Sequence, residues 1–567
     1  MDGEKITDPE PTVPSSGINT VDTTIEKGLE ADNVAPSEST TLQENPLAAR
    51  TNDEDEYIKG FKLFAVMASL TMSCFLLLLD TSIIVTAIPR ITSDFHSLTD
   101  VGWYGSAYLL ANCTLQPLTG KLYAQFSSKY TFISFLGIFE LGSLLCGVAT
   151  SSKMLIIGRT VAGLGASGII NGALTIISSC LPLQKRAVTQ LGVLFGPLIG
   201  GALTEYTSWR WCFYINLPLG GTMAGILLLL HIPDHAAKYS VKGSRVEILK
   251  SLDLVGFSLF APAAVQLLLA VQWGHVTYPW NSAHIIGLFC GAGGVFLIFL
   301  TWEYYQGDTA MIPLSMISKR IVWSSCMTMG FYFASMMTFS YYLPIYFQAV
   351  KGAQPTLSGV YMLPGIISQM AFAVISGILV NRTGYYMPWA IISGIMQSIS
   401  SGLVSTFTPH TSIGKWIGYQ IIGGSGRGIG LQMPMIAVQN ALPQKYVSIS
   451  MSLLVFSQNL GGALFLSFDE TAFSNGLDQA LPKFAPNVDP QAIIAAGATG
   501  FRAVIPKAAV GGVLNAYSRA ISHVFYIAAA AAAVLTIVSL GMGFKNIKKK
   551  GDEKPQEGKS EENPANP

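Results

Sequence analysis

From Phe61 to Phe544 the chain is written in apolar runs of roughly 18 to 25 residues, parted by short segments that hold most of the charge. At about 1.5 Å of rise per residue, each run is long enough to cross about 30 Å of hydrocarbon as a helix. The pattern predicts about fourteen spans: Phe61–Ala87, Gly102–Thr119, Phe132–Ala149, Met154–Leu181, Val188–Leu203, Phe213–Ile232, Leu252–Val271, His284–Trp302, Ile321–Phe347, Leu357–Val380, Trp389–Phe407, Ile413–Ala441, Val447–Phe468 and Ile521–Phe544. The expected fold is all-α, a polytopic transmembrane bundle. Residues 1–57 and 545–567 contain too little apolar material to offset chain entropy and are expected to be disordered tails. The first 57 also hold no apolar core of the kind a cleaved leader needs, so insertion is expected to use the first span.

Positive charge fixes an expected orientation. With the N-terminus in the cytosol, the inner loops and ends hold roughly eighteen Lys and Arg, among them Lys121, Lys129, Lys185, Arg186, Lys319, Arg320 and Arg382. The short outer loops hold about five: Arg90, Lys153, Arg210, Lys351 and Lys415. Both ends are then cytosolic, and 469–520 is expected as a long outer loop. A weak repeat aligns Ile157-Gly-Arg-Thr-Val-Ala-Gly163 of span four with Ile417-Gly-Tyr-Gln-Ile-Ile-Gly423 of span twelve. An offset of eight spans arises from two six-helix halves, 58–232 and 304–544, separated by two extra helices within 233–303. Parallel repeats of this kind are a transporter architecture.

Composition narrows the function. Half of the residues are hydrophobic, 12% are charged, and mean hydropathy is +0.45, against about a quarter charged in an average soluble domain. A formal net charge of +1 argues against nucleic acid as a partner. The seven cysteines lie in or beside spans without metal spacing and read as small packing residues. No Walker Lys-Ser/Thr, no Gly-x-Ser-x-Gly elbow and no His/Asp/Glu cluster at ligand spacing is present, so neither an ATP-driven pump nor an enzyme is indicated and no cofactor or metal is expected. Transport must draw on an ion gradient or on the solute's own.

Two ionisable residues lie deep in spans. Asp80 follows four leucines about 10 Å from the outer end of span one, and Arg159 lies about 9 Å inside span four, so they match in depth. Carboxylates at such depth commonly serve proton or ion movement. An Arg that stays charged favours a neighbouring carboxylate's ionised form and releases it on separation. The plainer readings are a helix cap for Asp80, and a structural ion pair or carbonyl clamp for Arg159. Span five carries Gly192, Gly196, Pro197, Gly200 and Gly201, spaced to flatten one face and to kink the helix, although GxxxG alone is common packing chemistry. The glycines around Arg427, from Gly423 to Gly430, follow no strand and read as helix packing about a buried Arg rather than a phosphate cradle. Candidate cavity residues are Tyr341, Tyr342, Phe347, Tyr361, Arg427, Gln432, Gln439, Gln458 and Asn459, with inter-helix hydrogen bonding as the alternative for the amides.

Together these features resemble the major facilitator superfamily, specifically the fungal fourteen-span drug:proton antiporters that include mycotoxin and multidrug efflux pumps. The resemblance spans nearly all of 61–544. It is most specific at Leu79-Asp80-Thr81 with Ala87-Ile88-Pro89, at Arg159 with Gly163 and Gly165, at 192–201, and at Trp209-Arg-Trp-Cys-Phe-Tyr-Ile-Asn-Leu-Pro218. It implies proton coupling through Asp80 and Arg159, an exchange hinge or leak seal at Gly196 and Pro197, and a central cavity for an amphipathic solute. It further implies a monomer in the plasma membrane that exports small molecules. Two departures stand out. Ala124, Gln125 and Ser127 replace the Asp, Arg and Gly usual after span two, and the stretch from Arg186 to Gly196 is about ten residues short, leaving about 27 Å of helix over 187–204. An importer or vacuolar transporter of a basic amino acid or metal chelate would share the fold but should need more carboxylates than Asp80 and Glu140. A non-transporting membrane sensor would need signalling modules that the short tails lack.

Overall fold

The computed structural model describes residues 60–95, 101–180, 210–230, 252–274, 278–486, 488–489, 502, 505–544 and 546–547. The N-terminal tail, most of the C-terminal tail, and the fifth predicted span with its Gly192–Gly201 pattern and short approach lie outside them. The described chain is helical: α1 Phe61–Phe95, α2 Val101–Gln125, α3 Ser128–Gly147, α4 Ser152–Cys180, α5 Trp211–Tyr214, α6 Asn216–Leu229, α7 Leu254–Trp273, α8 Ala283–Gln306, α9 Leu314–Ile317, α10 Arg320–Ile345, α11 Pro355–Thr383, α12 Met387–Val404, α13 Ile413–Gly430, α14 Met433–Ala441, α15 Gln444–Phe484 and α16 Val510–Ser539. Eight of the described helices are apolar and long enough to cross a membrane.

Three boundaries differ from those expected. The run Ile413–Ala441 is broken between Gly430 and Met433, where Pro434 supplies no N–H and opens a new helix at its first turn. The expected loop over 469–520 is much shorter, because α15 continues to Phe484 and α16 begins at Val510. Leu477, Ala480 and Leu481 explain the continuation: they are buried in one cluster with Val513, Tyr517 and Ile521 of α16. Asp469, assigned to that loop, is instead a fully buried helical residue. Lastly, α10 ends in a π-helical turn over Tyr346–Val350 beyond Pro344.

The repeat is visible in packing. α4 lies against α2 and α3 as α13 lies against α11 and α12. Gly163 of α4 meets the Tyr108 carbonyl of α2, and Gly424 of α13 meets the Gly365 carbonyl of α11. Gly165 faces the backbone of Phe139 on α3, and Gly426 faces Gln397 on α12. The absence of a side chain permits each approach. These pairs set Gly163 opposite Gly424, one residue further along than the sequence alignment, so Arg159 corresponds to Gln420 rather than Tyr419.

The two halves meet at the end of the bundle that carries Lys121, Lys129 and Arg320. There Ala124 and Leu174 join one buried cluster with Met435, Ile449 and Leu453. Thr175 Oγ1 lies 3.4 Å from Ser448 Oγ, and a Cβ placed on Gly120 would stand 2.8 Å from the Ile449 Cα. Helices α7 and α8 pair as a hairpin beside α2 and α15. Its base is knotted by Asp253, whose carboxylate accepts from Gly256 N at 2.9 Å, Trp302 Nε1 at 2.8 Å and Met311 N at 2.8 Å. Lys121 of α2 donates to the Thr309 carbonyl at 3.1 Å, tying the hairpin to the N-terminal half.

Candidate proton-coupling and solute site

The ionisable residues matched in depth by the sequence face each other. Asp80 on α1 and Arg159 on α4 are each 1% exposed, and Arg159 Nη1 donates to Asp80 Oδ2 at 2.5 Å. Arg159 Nε donates to the Tyr104 carbonyl at 2.9 Å, and the guanidinium sits 4.5 Å from the Tyr108 ring centroid. Tyr104 is held in turn by Ser152, its hydroxyl donating to Ser152 Oγ at 2.9 Å. Close approach of α4 to α2 at Gly163, one turn below Arg159, brings the guanidinium onto these two tyrosines.

The pair has an asymmetry that suits proton exchange. Asp80 Oδ1 is buried and accepts no hydrogen bond among the described residues, while Oδ2 is committed to Arg159. A proton can therefore be taken on Oδ1 without displacing a donor. The ionised pair is compensated, whereas either charge alone in this apolar surround would cost about 3–5 kcal/mol. Protonating the carboxyl thus weakens the tie between α1 and α4 and leaves Arg159 leaning on the Tyr104 carbonyl and the Tyr108 ring.

The matching place in the C-terminal half is neutral. Gln420 Nε2 donates to the Tyr361 carbonyl at 2.9 Å, repeating the bond from Arg159 to Tyr104 without the charge. Arg427 lies two turns deeper on α13 and is 7% exposed. Its Nε reaches Gln369 Oε1 at 3.4 Å, and its guanidinium stands 4.5 Å from the Phe339 ring centroid. The helix about it is pinned where Tyr332 donates to the Arg427 carbonyl at 2.7 Å.

The other candidate residues divide. Tyr342 and Phe347 are core residues, and Phe347 packs edge-on to Tyr361 and Trp416 with centroids 5.3 and 5.1 Å away. They brace the C-terminal half and do not form an open wall. Tyr341 points outward from the bundle, 48% exposed. Gln432 is buried at the α13–α14 break, and Gln439 Nε2 reaches Met451 Sδ at 3.5 Å. Gln458 and Asn459 are half-buried on α15, with Asn459 Nδ2 unbonded. Missed from the sequence were Tyr104 and Tyr108, whose contribution is a carbonyl and a ring face, and Asp469, whose Oδ2 accepts from Thr338 Oγ1 at 2.5 Å. The pair Asp469-Glu470 at the end of an apolar run looked like a span boundary; only the packing of α15 on α10 and α16 reveals its burial.

A bundle of apolar helices with an ion pair sealed between two of them is the build of a membrane transporter. Residues 70–466 match the sequence profile of the Major Facilitator Superfamily, and the chain belongs to that superfamily. It is 57% identical over 514 residues to the MFS-type transporter pigP of Monascus ruber, covering 89% of this chain and 90% of that protein. It is 53% identical over 525 residues to the efflux pump mlcE of Penicillium citrinum, covering 90% of this chain and 95% of that one. Among solved structures, the proton:xylose symporter XylE bound to 6-bromo-6-deoxy-D-glucose superposes with a TM-score of 0.55 at 13% identity, over 86% of this chain and 98% of that chain. That likeness concerns the fold alone. The chain is thus a multi-pass membrane transporter.

Proposed function

We propose that this protein exports hydrophobic or amphipathic small molecules, such as secondary metabolites, toxins or drugs, from the cytosol in exchange for protons by alternating access. The observation that carries the reading is the buried Asp80–Arg159 pair with its unbonded Oδ1, and the efflux pump mlcE among its relatives supports the direction. In this reading a proton from outside loads Asp80 after solute has left, α1 and α4 loosen, and the halves rock to face the cytosol. There the proton is lost and solute binds. Gly192, Gly196, Pro197, Gly200 and Gly201 would form the hinge of that exchange, by the resemblance stated above.

The working unit is a monomer of about fourteen spans in the plasma membrane, with two six-helix halves and α7–α8 as the inserted pair. The excess of Lys and Arg on one set of loops supports cytosolic termini. The face where α2, α4 and α15 close on one another is then cytosolic, as expected of a carrier open or opening toward the outside. Reconstituted full-length protein should acidify the compartment standing for the cytosol when solute is supplied there. An unchanged pH during solute export would refute the coupling.

A further inference from the structure

Arg427 is a charge buried inside the bundle with no countercharge paired to it among the described residues. α13 places it fourteen residues from Ile413, about 21 Å along the helix axis and so well inside the apolar layer. Among the described residues it takes part in no ion pair, in contrast to Arg159, and its buried Nη1 has no hydrogen-bond partner. Two glycines bring the backbone close to the fork. A Cβ on Gly423 would lie 3.3 Å from Nη1, and one on Gly365 of α11 would lie 3.4 Å from Nη2. The neutral amide of Gln369 and the face of Phe339 meet the guanidinium.

Burying an unpaired charge is strongly unfavourable, and a guanidinium presents five donors in a plane matched to a carboxylate. Helix packing would be served better by an aliphatic side chain between the two glycines. We propose that Arg427 receives the anionic group of the exported solute, so that the preferred substrates are amphipathic organic acids. The carboxylate docks on Nη1 and Nη2 between Gly365 and Gly423, Gln369 orients the fork through Nε, and the solute's apolar body lies along the Phe339 side. Because a guanidinium holds its proton through the working pH range, the site stays cationic and discriminates by the solute's charge alone. The inference rests on the export reading and names its substrate class.

The test uses pyrenebutyric acid and its methyl ester as probes, with full-length protein in lipid nanodiscs at a pH where the acid is ionised. Fluorescence titration should give the acid roughly 10- to 100-fold tighter binding than the ester, the range expected for a charge-assisted, desolvated contact. Arg427→Gln should erase this preference, bringing the acid to the ester's affinity. Equal affinity of the wild type for both probes, no binding of the acid, or an acid preference surviving in Arg427→Gln would overturn the proposal. Should Arg427→Gln lose the ester as well, Arg427→Lys decides. A retained acid preference supports the assignment, and its loss with ester binding intact overturns it. Proton-driven export of the ester and its dependence on Asp80 test the transport reading independently, since neither involves Arg427.

Discussion

Replacing Asp80 by Asn should uncouple export from the proton gradient while leaving a folded carrier. The amide keeps an oxygen near the place from which Oδ2 now meets Arg159 Nη1, and the Tyr104 carbonyl at 2.9 Å and the Tyr108 ring at 4.5 Å continue to hold the guanidinium. Loss of the countercharge in a site this buried costs about 3–5 kcal/mol when a pair is simply broken. The amide oxygen recovers part of this, while the ring contact, about 2 kcal/mol in a desolvated setting, is kept in both proteins and cancels from the difference. Asp80→Ala, with no acceptor, should suffer the full loss and accumulate poorly. For the working protein, one exchangeable carboxyl at the pair means one proton per cycle through it. One pH unit is worth about 1.4 kcal/mol, a tenfold solute gradient. Proteoliposomes under a gradient of one unit should therefore build about a tenfold gradient of a neutral solute with the wild type. Asp80→Asn should only equilibrate it. Accumulation against a gradient by Asp80→Asn, at an expression level and thermal stability close to wild type, would refute the assignment of coupling to this pair.

Other substitutions test other parts. Gly120→Val places a branched side chain where a Cβ already meets the Ile449 backbone, so the face closed by α2 and α15 should splay. Export should fall at least about tenfold if that contact contributes 1.4 kcal/mol or more, and a cysteine at Ser448 should label faster with a membrane-impermeant maleimide. Asp253→Ala orphans three N–H donors of the hairpin base and should destabilise by about 3 kcal/mol or more, read as a lower midpoint of thermal unfolding in detergent. Asp253→Asn, which also tolerates the left-handed backbone at φ 50, should be milder. Thr338→Val strips Asp469 of its donor and should cost about 1–3 kcal/mol, whereas Thr338→Ser should be close to neutral in the same measurement.

Much of this protein was legible before any packing was considered. Transfer of apolar side chains and backbone out of water depends on the length and composition of each segment, so the helices and their approximate limits follow from the runs themselves. The same local rule failed at Gly430–Met433, where a proline divides a continuous apolar run, and beyond Phe468, where α15 survives polar residues because α16 covers it. Depth along a helix is also a one-dimensional quantity, which is why Asp80 and Arg159 were matched from the sequence.

Azimuth is not one-dimensional. Whether two residues at equal depth meet depends on how their helices are rotated and paired, and that is decided by steric fit between segments far apart in the chain. Tertiary structure alone therefore joined Asp80 to Arg159 and recruited a carbonyl from Tyr104. It also turned Tyr341 outward beside the buried Tyr342 and shifted the internal repeat by one residue, so that a neutral Gln420 answers Arg159. The sequence by itself determined a helical membrane protein with charges at particular depths. Packing decided that, among the described residues, one buried arginine is paired with a carboxylate and the other, Arg427, meets an amide and a ring.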